Sequence, residues 1–124
     1  MKKGIMGLVM ATVIVLSISA QADQPSKHPA TVVTGEVVDT GCYLGHSSKG
    51  QSHAECATMC IDQGMPMGVL TQKGQLYLVT MNHDNPDAFN KLKKMAGKNV
   101  AVTGHVYTRA GLMAVEIDSF KPAA

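Results

Sequence analysis

The sequence predicts a mainly β domain with helices set into it, and three observations carry that expectation. Runs rich in β-branched and apolar residues recur along the chain: TVVTGEVVDT from Thr31, MGVL from Met67, LYLVTM from Leu76 and NVAVTGHVYT from Asn99. Turn signals at Lys73-Gly74 and Arg109-Ala110-Gly111 lie between successive runs, as hairpins require. Two helix starts interrupt the pattern, one at Ser52-His53-Ala54-Glu55 and one at Asn85-Pro86-Asp87.

The chain opens with Lys2 and Lys3, an apolar run from Ile5 to Ile18, and Ala20-Gln21-Ala22. This is the pattern of a secretory signal peptide over residues 1–22, cut after Ala22. The run is shorter than the roughly 20 residues of a spanning helix, so an uncleaved anchor is the rival reading. Cleavage implies a periplasmic or secreted protein that is not integral to the membrane. No Cys follows the small residues, so lipid attachment is not expected. What remains, about 100 residues, suits one domain with a modest core. Without Lys2 and Lys3 the basic and acidic side chains balance. A balanced surface argues against nucleic acid as a partner, because phosphate binding needs a cationic stripe.

Residues 23–30, DQPSKHPA, read as a flexible leader, and residues 31–121 as the domain. The first strand runs through TVVTGEVVDT, with Gly35 where it can bend. A loop follows, then a helix from about His53 to Gln63, capped by Ser52 and Glu55 and ended by Gly64 and Pro66. The hairpin across Lys73-Gly74 supplies strands two and three. The second helix carries Phe89, Leu92, Met95 and Ala96 on one face. In the fourth strand Val100, Val102, Gly104 and Val106 share a face, and in the fifth Met113, Val115 and Ile117 face inward. Setting aside the Cys-bearing helix inserted between strands one and two, the order is three strands, a helix and two strands. That is the order of a small five-stranded OB-like barrel, with Gly35 and Gly104 letting long strands coil. A flatter α+β sandwich is the alternative.

Gly35 to Tyr43 reads GEVVDTGCY, Cys56 and Cys60 form a Cys-x3-Cys segment, Leu76 to Leu78 reads LYL, and Ala96 to Gly104 reads AGKNVAVTG. With these stretches the chain resembles a family of small exported bacterial domains that look like OB-folds. The resemblance implies the fold and the export, and no catalytic residue.

All three cysteines, Cys42, Cys56 and Cys60, fall between residues 41 and 68, together with His46, His53, Met59, Met65 and Met67. On a helix, His53, Cys56 and Cys60 stand at i, i+3 and i+7 and line one stripe. A return of that helix onto the sheet brings Cys42 beside them. Three thiolates, or two with an imidazole, form a soft site suited to Cu(I) or zinc. The methionines favour Cu(I), because zinc rarely takes a thioether. The expected metal ligands are therefore Cys42, Cys56 and Cys60, with His53, Met59, Met65 and Met67 as further donors.

Other readings of the same residues remain open. Exported thiols tend to oxidise in pairs, so Cys42 with Cys56 or Cys60 would form a disulfide stapling the inserted helix, contributing about 2–4 kcal/mol. The chain would then be an interaction module for another periplasmic protein, such as one in respiratory-enzyme assembly. A thiol-redox role lacks the Cys-x-x-Cys spacing and its βαβ context. Non-covalent haem delivery through His105 and Tyr107 is a further alternative. Hydrolase and nucleotide-binding motifs are missing from the sequence, so metal handling without turnover is the leading expectation.

Overall fold

Strand β1 (Ala30–Asp39) serves two neighbours in succession. Its first half pairs antiparallel with β4 (Asn99–Arg109), from Ala30↔His105 to Glu36↔Asn99. Its second half pairs antiparallel with β2 (Met67–Leu70), from Glu36↔Leu70 to Asp39↔Met67. Strand β3 (Leu76–Met81) continues from β2 across the Thr71–Gln75 turn and lies parallel to β5 (Leu112–Pro122). The hairpin of β4 and β5 completes the sheet, so the five strands close in a ring in the order β1-β2-β3-β5-β4. The structure is a computed structural model that describes residues 28–124. The expected signal peptide and most of the leader lie outside the described residues. Among the described residues no helix is long and apolar enough to cross a membrane.

The ring forms because the inward positions of each strand are β-branched or apolar at alternate residues. Val33, Val37, Val69, Val79, Val100, Val102, Val115 and Ile117 are all buried in one cluster. Helices close it. Helix α2 (Ala54–Asp62) contributes Ala57 and Ile61, and α3 (Pro86–Leu92) contributes Ala88 and Leu92. Burying one Ile or Leu side chain of this kind is worth about 1.5–3 kcal/mol, which fastens each helix to the sheet. Helix α3 begins as the sequence predicts, with Asn85 before Pro86, although Asn85 makes no capping bond with its side chain and instead reaches the Asp118 carbonyl at 3.2 Å.

The sequence-based order of strands and helices is met, with one addition and one correction. The stretch after β1, expected as a loop, is a helix, α1 (Thr40–His46). The helix expected from His53, capped by Ser52 and Glu55, instead starts through a 3-10 turn, Gln51–His53, and no side chain caps α2. The His53 amide donates to the Gly50 carbonyl at 3.0 Å, and the His53 side chain points toward β1. Both long strands pass a neighbouring backbone closely at a glycine. A Cβ on Gly35 would collide with the Leu70 carbonyl, and one on Gly104 with the Glu116 carbonyl, beside the register shift at Thr103/Gly104.

Rigid backbone atoms leave an added methyl at Gly104 nowhere to go. Gly104→Ala is expected to lower the unfolding free energy by about 1–3 kcal/mol, the range for overpacking. Urea denaturation followed by circular dichroism measures it, and an unchanged midpoint would show that the strands are less closely apposed than described.

Candidate metal centre

At the end of β1 stands Asp39, a side chain with no exposure to solvent. Its backbone is extended, it is the N-cap of α1, and one carboxylate oxygen accepts the Cys42 amide at 2.7 Å. A seven-residue helix is marginal alone. This one is held at its start by Thr40, whose amide and hydroxyl both donate to the Pro66 carbonyl at 2.9 and 2.8 Å. It ends at Ser47 in the left-handed region, whose amide donates to Tyr43. The Cys42 thiol is thereby set in the first turn, directly beyond the strand.

The connection to α2 is anchored to the same strand, because the Gly50 amide donates to the Glu36 carboxylate. That places His53 over the strand end, where its Nε2 lies 3.1 Å from the second oxygen of Asp39. An ionised carboxylate only accepts hydrogen bonds. With the carboxylate ionised, Nε2 is the donor of this bond.

On α2, Cys56 and Cys60 directly precede the buried residues Ala57 and Ile61. They therefore sit at the border of the packed face, Cys60 half-buried and Cys56 exposed. The helix ends in a Schellman arrangement: Gly64 at φ 104° donates to Ile61 at 3.0 Å, and Met65 donates to Cys60 at 2.9 Å. This folds Met65 back toward α1, where its thioether lies against Gly41.

Two groups of donors result. Cys42, His53 and Cys56 offer ligand atoms that all lie within 4.8 Å of one another, and so do Asp39, Cys42 and Cys60. Either group could hold a metal ion. With metal–sulfur bonds of about 2.3 Å, a trigonal ion needs donors about 4 Å apart, so only small side-chain movements separate these thiols from a coordination shell.

Two of the thiols hold their protons more firmly than an ordinary cysteine. The Cys42 thiol is pushed up from 9.0 to about 11, first by its hydrogen bond to the Asp39 carboxylate, then by burial and by the charge of Asp39. Burial, followed by the proximity of Cys60, also raises Cys56.

The other expected donors fare differently. Met59 is exposed on α2, and Met67 is buried in the hydrophobic core at the start of β2. Met65 is exposed, with its thioether against Gly41, and His46 lies outside both groups, exposed at the end of α1. No disulfide joins the cysteines, all three of which are free thiols. The expected staple is thus not what holds α2; its buried Ala57 and Ile61 do so. His105 lies elsewhere, with Nδ1 against the His28 carbonyl and Nε2 3.3 Å from Asp118, so neither ring nitrogen is free to ligate haem. Sequence reasoning missed Asp39. Its signal was present: an Asp directly after an apolar run, three residues before Cys42, is an N-cap pattern.

No family model, curated protein or solved structure matches the chain.

Because the folded protein holds the Cys42 proton more tightly than the unfolded chain, this thiol stabilises the apo fold fully below pH 9.0 and ceases to do so as pH rises through about 11. Thermal melts across that window are expected to fall more steeply for the wild type than for Cys42→Ser. Parallel curves would mean that Asp39 does not hold the thiol proton.

Proposed function

We propose that the chain is an exported, periplasmic OB-like protein that binds a soft metal ion, Cu(I) in preference to zinc, through Cys42, Cys56 and Cys60 with His53. It stores, hands over or senses the ion and does not turn over a substrate. The observation that carries this reading is the convergence of donors from three separate segments, α1, the 3-10 turn and α2, on the sulfur of Cys42. The OB-like assignment draws on the strand order, on the parallel β3–β5 pair and on the helix between β3 and β4.

Several features favour Cu(I). Soft thiolates dominate the set, and the thioether of Met65 is beside Gly41, next to Cys42 in the chain. Asp39 acts behind the ligands. By pairing with Nε2 it fixes the orientation of the His53 ring, as carboxylates do behind many metal-bound histidines. Its other oxygen fixes the turn that carries Cys42.

Ligation requires thiolates, and Cys42 and Cys56 hold their protons above the ordinary thiol range, so an ion binding them displaces protons. Apparent Cu(I) affinity is expected to rise with pH by about tenfold per unit for each proton displaced. A titration of the reduced protein against a chromogenic Cu(I) chelator between about pH 6 and 8.5 measures this. Failure to compete with the chelator, or a thiol count of one in protein isolated without reductant, would overturn the reading in favour of a disulfide-stapled interaction module.

A further inference from the structure

The donors form two overlapping groups of three, and the only member they share is Cys42. Cys56 and His53 belong to the first group, Cys60 and Asp39 to the second. The groups also differ in access. The first opens to solvent through exposed Cys56, whereas the second rests on the fully buried Asp39.

Charge bears on how many ions such an arrangement takes. Three thiolates and the Asp39 carboxylate bring four negative charges together. Between Asp39 and Cys60 the only Lys or Arg is Lys49, which is exposed. Uncompensated charge in a half-buried site is costly, so the compensation must come from protons or from bound cations. One monovalent ion leaves most of it unmet. A second ion removes more, and a thiolate sulfur has lone pairs enough to bridge two soft ions.

We infer that the centre holds two ions in adjacent positions, an outer one at Cys42, His53 and Cys56 and an inner one between Cys42 and Cys60 beside Asp39, with the Cys42 sulfur bridging them. This rests on the soft-metal reading above and deepens it. The inner position suits a two-coordinate Cu(I): its linear sulfur–metal–sulfur unit, with bonds of about 2.3 Å, spans about 4.6 Å, a separation inside the 4.8 Å that bounds the Cys42 and Cys60 sulfurs, so small side-chain movements reach it. The carboxylate then supplies charge beside the ion without replacing a sulfur ligand.

The test is Cu(I) stoichiometry on the reduced, purified protein, measured against a competing chelator. Two equivalents are expected for the wild type. Cys56→Ser and Cys60→Ser should each keep one equivalent, because each removes a donor from one position only, and Cys42→Ser should lose both. One equivalent in the wild type, weakened alike by Cys56→Ser and Cys60→Ser, would mean a single three-sulfur shell and overturn the shared-sulfur arrangement while leaving the soft-metal reading intact. No copper bound by the wild type overturns that reading and this inference with it. X-ray absorption of wild-type protein loaded with two equivalents decides the matter without variants, should any of them fail to fold. A short copper–copper path is expected, and its absence rules out the bridge.

Discussion

A single buried carboxylate holds the centre together. Asp39 ends β1, caps α1 through the Cys42 amide and binds the His53 ring, so three segments of chain are referenced to one side chain. Burying a carboxylate is costly unless its oxygens are engaged, and here both are. The cost is met because the bonds it makes are charge-assisted and lie out of water, where they are stronger than at a surface. The direction of α1, the position of the Cys42 sulfur and the orientation of His53 all follow from where β1 stops.

Much of the architecture was legible because its causes are local. Alternating Val residues specify strands whose inner faces are buried, Lys73-Gly74 specifies a turn, and Asn85-Pro86 specifies a helix start. Helix α1 was not legible. TGCYLGH holds two glycines and a β-branched residue, poor helix material by propensity, and it is helical because Asp39 and the Pro66 carbonyl hold its first turn. The Ser52–Glu55 capping box had the right spelling and was not used, since the attachment of His53 to Asp39 and of Gly50 to Glu36 sets a 3-10 turn there instead.

The donor cluster was half legible. Spacing alone placed His53, Cys56 and Cys60 on one stripe, and all three do fall in a group with Cys42, His53 and Cys56 in one and Cys60 in the other, although His53 reaches it from the 3-10 turn ahead of α2. The methionines could not be sorted by composition. Met67 became core because β2 begins there with its side chain turned inward, while Met59 stayed in solvent on the same helix as the thiols. Asp39 carried the spelling of an N-cap, but it ends a run that reads as strand and precedes poor helix material, so the cap had no helix to announce.

Strand β1 changes partner at Glu36, from β4 to β2, and so it is the strand that joins the two arms of the ring. Asp39 lies at the far end of this seam. Each half is held by a different neighbour, and paired core strands lie toward the high-stability end of local opening. The strand end that anchors the donors is thus tied on both sides of the seam, and of the three sulfurs beside it Cys56 is the one turned to solvent.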